Sequence, residues 1–142
     1  MTSPNPDLLT HVPLFADLEP RELKSLASSF NERTFAAGDT ILTAGSGGVG
    51  FFVIGEGTAT VSVGGREVGT LGPGEYFGEV ALIDGGGERT ATVTAQTELK
   101  TYGLTAWAFR PIVESNAPIA WKLLQALARK LREAESRAAT AG

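Results

Sequence analysis

The central part of the chain, residues 33–102, contains short runs in which polar and apolar residues alternate, separated by glycines. One run, residues 58–63 (TATVSV), ends at a Gly-Gly pair, which is typical of a two-residue hairpin turn. Several short strands at this spacing predict a β-sandwich or barrel. Helical periodicity precedes this region over residues 8–30 and returns after Thr105. We therefore expect a mainly β domain with helices at both ends.

Local signals place the flanking helices. Pro20 suits the first turn of a helix, where its missing N–H is not needed, and this helix would continue through Leu23 and Leu26. Two further helices are predicted after Thr105. In the first of them, three residues are expected to face the core: Trp107, Ile112 and Val113.

The last helix is predicted to begin near Pro118 and to carry an apolar stripe at intervals of three or four residues. The stripe consists of Ile119, Leu123, Leu127, Leu131 and Ala134. It can be buried by packing on the barrel of its own subunit, or by pairing with a second copy at a two-fold dimer seam. These two arrangements are not exclusive.

Residues 74–93 place a carboxylate and a guanidinium around a glycine-rich turn. The carboxylate of Glu79 can accept a hydrogen bond from a sugar hydroxyl, and the planar guanidinium of Arg89 can bind two oxygens of a phosphate. The apolar residues 80–83 suit a single helical turn whose first backbone N–H groups would face an anion. A ligand that offers both a sugar hydroxyl and a phosphate is a nucleotide.

These residues are similar to the phosphate-binding cassette of the cyclic nucleotide-binding domain family, through residues 77–82 (FGEVAL) and 89–91 (RTA). Similar residues also lie upstream, at positions 14–18, 37–41, 51–54 and 71–74. The resemblance covers residues 8–136, nearly the whole chain.

The resemblance implies one domain over residues 1–142, with a jelly-roll barrel (a double-stranded β-helix) and flanking helices. Its expected parts are N-terminal helices over 8–30, the barrel over 33–105 with the cassette and its short helix in 74–93, and two C-terminal helices over 106–138.

The resemblance also implies roles for the cassette residues. Arg89 would bind the phosphate, with an exposed arginine on a turn as the alternative. Glu79 would hold the ribose 2′-hydroxyl, with a glutamate stabilised by a helix N-terminus as the alternative. The hydroxyl of Thr90 could donate to a phosphate oxygen or contact the 2-amino group of guanine. Both cAMP and cGMP are therefore possible ligands, and we favour cAMP.

Small residues in the cassette are expected to let the backbone approach the phosphate. Gly78 and Ala81 would matter through their size, and Val80 begins the helical turn that faces the anion. On the strand with alternating residues, Val61 and Val63 are expected to point inward, either as an apolar wall against the base or as ordinary core.

The open side of the purine needs a cover, which the last helix usually supplies in this family. Some members of the family cap the base with adjacent hydroxyl side chains on this helix. This chain has no such pair at the corresponding residues 133–135, which read EAE. Arg129 or Arg132 could stack on the base as a cation over an aromatic ring, or serve as a plain surface arginine.

Charge and composition exclude several other classes. Residues 1–105 carry six lysines and arginines against thirteen acidic residues, and residues 106–142 carry six against three. The acidic body argues against nucleic-acid binding, and the weakly basic tail is typical of a solvated helix face. His11 is the only histidine, so a histidine-rich metal centre is excluded, and no nucleophile with an adjacent base suggests an enzyme.

The chain contains no cysteine and no apolar run long enough to span a bilayer. We expect a cytoplasmic, free-standing sensor without a cofactor, since no DNA-binding, kinase or channel segment follows the domain. Ligand binding would shift the C-terminal helices and act on a protein effector that the sequence does not identify. The alternative is a barrel that no longer binds nucleotide and serves as a dimerisation or protein-interaction module.

Overall fold

The computed structural model describes residues 4–42, 50–78 and 91–141. Its helices are α1 (Pro6–Leu9), a 3₁₀ helix (Pro13–Phe15), α2 (Pro20–Ala27), α3 (Ala106–Glu114) and α4 (Ala117–Ala141). Its strands are β1 (Asn31–Phe35), β2 (Thr40–Leu42), β3 (Gly50–Glu56), β4 (Ala59–Val63), β5 (Arg66–Leu71), β6 (Tyr76–Phe77), β7 (Thr92–Ala95) and β8 (Leu99–Thr105).

The strands form two antiparallel four-stranded sheets, with the orders β1-β8-β3-β6 and β2-β7-β4-β5. This architecture confirms the predicted mainly β jelly-roll with flanking helices. The predicted hairpin is also confirmed, because Val63 pairs with Arg66 across Gly64 and Gly65. Both glycines have positive φ angles, 61° and 77°, as the tight turn requires.

Two hydrophobic cores lie on opposite faces of the first sheet. Along β3, Phe51 and Val53 point toward the helices, whereas Ile54 points between the two sheets, as the two-residue period of a strand dictates. Phe51 is fully buried, and its ring contacts those of Phe15 and Phe30 at centroid distances of 5.8 and 6.1 Å. The N-terminal helices therefore share one of the two cores with the first sheet.

The helix α2 begins at Pro20, as predicted. The preceding residue, Glu19, takes part in a capping box, in which its backbone N–H donates to the Glu22 carboxylate at 2.8 Å. The carboxylate satisfies an N–H that has no partner within the helix. The helix α4 begins at Ala117, next to the predicted start at Pro118.

Two predictions about the C-terminal helices are wrong. Trp107 is 66% exposed, because the buried face of α3 is set by Phe109, and a residue two positions away points to the opposite side of a helix. On α4, the buried residues are Ile119, Leu123 and Ala126, with Leu127 partly buried against them. The expected continuation of this stripe, at Leu131 and Ala134, is exposed. Every other side chain from 131 to 139 is exposed as well.

Within the described ranges, no helix is both long and apolar enough to cross a membrane.

Candidate functional site

The segment that contains the predicted cassette leaves one sheet and rejoins the other. Near the start of the cassette, β6 pairs with β3 in the first sheet, where Phe77 lies opposite Phe52. At its end, β7 pairs with β4 in the second sheet, where Val93 lies opposite Val61. Five predicted site residues lie outside the described residues: Glu79, Val80, Ala81, Arg89 and Thr90. The two ends of the predicted cassette therefore lie in different sheets.

Gly78, within the predicted cassette, is the last residue that the structure describes before residue 79. Its φ angle is 85°, in the left-handed region that side chains with a Cβ rarely adopt. The preceding residue, Phe77, is anchored by stacking on Phe52 at a centroid distance of 5.2 Å. The backbone thus takes a left-handed conformation immediately after a fixed aromatic residue, and glycine suits that conformation.

The turn that leads into β6 is held by several hydrogen bonds. The N–H of Gly72 donates to the Glu75 carboxylate at 2.8 Å. The N–H of Gly74 donates to the Ile54 carbonyl at 2.8 Å, and the Ile54 N–H donates to the Glu75 carbonyl at 2.9 Å. The turn is therefore fastened to the central strand β3, and Glu75 has a structural role there.

An open cavity of about 520 Å³ lies beside this turn, at the N-terminal helices. It is lined by His11, Leu71, Pro73, Gly74, Glu75 and Tyr76. The imidazole of His11 lies against Gly74, within 3.5 Å of where a Cβ would stand. The cavity therefore belongs to the packing of the N-terminal helices on the turn, and sequence reasoning gave no sign of it.

Val61 lies on the inner side of the second sheet, partly buried against the core between the sheets. Its neighbours in that core include Leu71, Phe77 and Val93. The two ends of the cassette thus border the same apolar cluster as Val61. Val63, predicted to continue this wall, is 45% exposed next to the hairpin turn. A contact between Val61 and a base stays a prediction.

The two arginines predicted over the base differ in their surroundings. The guanidinium of Arg129 donates to the carboxylate of Asp17, which follows the 3₁₀ helix, at 2.5 Å. Arg132 is exposed on the part of α4 that extends beyond the buried stripe. Sequence reasoning missed Asp17, because a contact between residues 112 positions apart leaves no local pattern. Base stacking by either arginine stays a prediction.

The helix α4 has a second ionic contact with the N-terminal helices. The Nζ of Lys122 lies 2.7 Å from the carboxylate of Glu22 and 3.9 Å from that of Glu19. The hydrogen bond from Lys122, helped by the backbone N–H of Glu19, lowers the pKa of Glu22 below its usual 4.5. Glu22 therefore links the start of α2 to α4.

The protein thus belongs to the class of small jelly-roll domains with helices at both ends, in which the chain passes from one sheet to the other after a glycine with a positive φ angle. The family model for the cyclic nucleotide-binding domain matches residues 32–116 of this chain. The chain therefore belongs to the cyclic nucleotide-binding domain family. This family is regulatory rather than catalytic.

Curated relatives come from both bacteria and eukaryotes. The chain is 33% identical to the cyclic AMP receptor protein of Thermus thermophilus over 128 residues, which cover 87% of this chain and 59% of the relative. It is 36% identical to a cAMP-dependent protein kinase regulatory subunit of Yarrowia lipolytica over 107 residues, 74% of this chain and 28% of the relative. The chain thus spans only part of the length of these relatives.

Solved structures support the same fold. The N-terminal domain of a transcriptional regulator from Streptomyces coelicolor superimposes with a TM-score of 0.86 at 34% identity, covering 92% of this chain and 94% of that one. The catabolite activator protein of Thermus thermophilus gives a TM-score of 0.71 at 32% identity, over 90% of this chain and 62% of that one.

Proposed function

We propose that this protein binds a 3′,5′-cyclic nucleotide, with cAMP preferred over cGMP, and acts as a regulatory sensor module. The observation that carries the proposal is the family match over residues 32–116, which includes both Glu79 and Arg89. Two relatives with more than 30% identity are named for cAMP, which favours that nucleotide. The proposal includes no cofactor besides the ligand. A cytoplasmic location stays a prediction.

The roles of the charged cassette residues follow from their chemistry. Arg89 would bind two oxygens of the cyclic phosphate, and Glu79 would accept the hydrogen bond of the ribose 2′-hydroxyl. Thr90 would contact a phosphate oxygen. The positive φ angle of Gly78 supports a backbone that curves around the ligand immediately before Glu79.

Signalling would proceed through a change in the populations of two arrangements of α3 and α4. A ligand shifts these populations only by as much as its affinities for the two arrangements differ. The two helices adjoin the N-terminal helices in the described structure, so a ligand that draws them toward the base would change that contact. Their position would then report whether the site is occupied.

The test is isothermal titration of the refolded protein with cAMP and cGMP, compared with Arg89→Ala. Unfolding and refolding first removes nucleotide carried over from cells. A charge-assisted contact contributes about 1.5–3 kcal/mol, so the variant should bind about 10- to 150-fold more weakly. Arg21→Ala is the matched control, because Arg21 is 88% exposed on α2 and should leave binding unchanged.

Binding that is equal in the wild type and Arg89→Ala would place the phosphate elsewhere. No binding of either nucleotide at millimolar concentration, together with an intact fold by circular dichroism, would reject the sensor function. The alternative, an interaction module, would then be favoured.

A second function, dimerisation through α4, is favoured by the outer face of this helix. Three large apolar residues are about 60% exposed there: Trp121 (63%), Leu124 (57%) and Leu131 (61%). With Ala128 they are spaced by three, four and three residues, which is the spacing of a two-stranded coiled-coil seam. Trp121 lies opposite Leu123, which packs on the domain, and Leu131 lies beyond the part of α4 that is buried. We therefore propose a second copy of this chain as the occupant of the seam.

Sedimentation equilibrium of Leu131→Glu tests the dimer. A buried glutamate at the seam would face its own copy, so the variant should be monomeric at concentrations where the wild type is dimeric. Ser136→Glu adds the same charge on the same helix outside the seam and should keep the dimer. A wild type that is monomeric at 0.1 mM or so would contradict this proposal.

A further inference from the structure

Two cations on α4 reach carboxylates of the N-terminal helical region. Lys122 contacts Glu22 at 2.7 Å, and Arg129 contacts Asp17 at 2.5 Å. The two cations are seven residues apart, which is two helical turns, so they lie on the same side of α4. Ionic contacts therefore hold the helix at two points along its length.

The two contacts differ in exposure. The side chains of Lys122 and Glu22 are 24% and 10% exposed, whereas those of Arg129 and Asp17 are 53% and 41% exposed. Water and salt therefore screen the second pair more strongly. The buried apolar residues of α4 lie near Lys122, and every side chain from 131 to 139 is exposed. The helix is anchored at Lys122 and most easily released at Arg129.

We propose that Asp17 and Arg129 form an ionic latch that keeps the distal part of α4 on the N-terminal helices and thereby lowers affinity for the nucleotide. A ligand that favours a different position of α4 has to compete with the contacts that hold the helix where it is. The effect on ligand affinity rests on the proposed function. The restraint on α4 does not.

The size of the effect follows from the exposure of the pair. An exposed ion pair changes an equilibrium by a factor of about 1.5 to 5. Loss of the Asp17 charge should therefore raise the ratio of released to docked distal helix by up to that factor. The affinity for the nucleotide should rise by up to the same factor. Raising the salt concentration from about 0.1 to 1 M shortens the screening length from about 10 to 3 Å and should likewise release the distal helix.

The first experiment needs no ligand. Amide hydrogen exchange over residues 127–141 is measured in the wild type, in Asp17→Asn and in Glu67→Gln, which removes the same charge from an exposed position on β5. We expect exchange about 1.5- to 5-fold faster in Asp17→Asn, and no change in the control. Equal exchange in all three proteins would overturn the latch.

The second experiment tests the coupling by titrating cAMP into Asp17→Asn with and without Arg129→Gln. If Asp17 acts through Arg129, Asp17→Asn should tighten binding in the wild-type background and have no effect once Arg129 is replaced. The same tightening in both backgrounds, or none in the wild-type background, would overturn the coupling. If the wild type binds neither nucleotide, the proposed function fails, and the exchange experiment still decides whether the latch exists.

Discussion

The amine of Lys122 donates a 2.7 Å hydrogen bond to the carboxylate of Glu22, joining residues 100 positions apart in the chain. The same carboxylate accepts the N–H of Glu19 at 2.8 Å, in the capping box of α2. One side chain therefore fixes the start of a helix and its contact with α4.

Replacing Glu22 by glutamine separates these two roles. The amide oxygen can still accept the Glu19 N–H, but the ion pair with Lys122 is lost. We expect the free energy of unfolding to fall by about 1–2 kcal/mol, because the pair is largely shielded from water. Urea denaturation measures this change. Glu114→Gln breaks an exposed pair with Arg110 and should cost less than about 0.5 kcal/mol; equal losses in the two variants would contradict the prediction.

The pH dependence of stability should carry the signature of Glu22. Its pKa is lowered below 4.5 in the folded protein, so its stabilising contribution is complete above that pH. It is lost as the pH falls through the pKa of the folded state. The difference in unfolding free energy between the wild type and Glu22→Gln should therefore stay constant from about pH 5.5 to 8 and shrink below pH 4.5. A difference that persists at about pH 2 would show that charge is not its source.

Gly78→Ala should destabilise the start of the cassette. Its φ angle of 85° costs a residue with a Cβ about 1–2 kcal/mol. If the proposed function holds, cAMP binding should weaken as well, because the strain is relieved by moving the backbone next to Glu79. Gly69→Ala on β5 is the control, since a Cβ there would meet nothing within 4 Å and its φ angle is not in the left-handed region. Chemical denaturation measures the free energy of unfolding of both variants. Equal losses of unfolding free energy in Gly78→Ala and Gly69→Ala would refute the prediction.

Phe51→Ala should cost about 3–5 kcal/mol of unfolding free energy, because it opens a cavity where the N-terminal helices meet the barrel. The ring is fully buried and contacts Phe15 and Phe30. Val68→Ala, at a side chain that is 59% exposed, should change stability by less than about 0.5 kcal/mol. A small effect of Phe51→Ala in urea denaturation would show that the helices and the barrel do not share one cooperative core.

Local rules accounted for much of the fold. The start of α2 at Pro20 and the hairpin at Gly64 and Gly65 depend on neighbouring residues only, and the sequence was sufficient to predict both. The exposure of Leu131 could not be predicted in this way, because periodicity does not show how far the rest of the domain extends beneath a helix. Trp107 is exposed for a different reason, since Phe109 sets the buried face of α3 and Trp107 lies on the opposite face.

The candidate site also contains some features that neighbouring residues predict and others that depend on the folded chain. Glu79 and Arg89 were chosen from a contiguous pattern, and their roles stay predictions because they lie outside the described residues. The partner of Arg129 could not be predicted, since Asp17 comes close only after the chain has folded. Residue type alone does not distinguish an arginine that stacks on a base from one that pairs with a carboxylate.

The helix α4 has 25 residues, which corresponds to a rigid rod about 37 Å long. Its packing on the domain is concentrated near Lys122, and its far half stands clear of the barrel. A tilt of about 10° at Lys122 displaces Ala138, about 24 Å away, by about 4 Å. If the proposed shift of α4 takes place, the helix would act as a lever arm, and a small rearrangement near Lys122 would become a displacement at the tip that another molecule can sense.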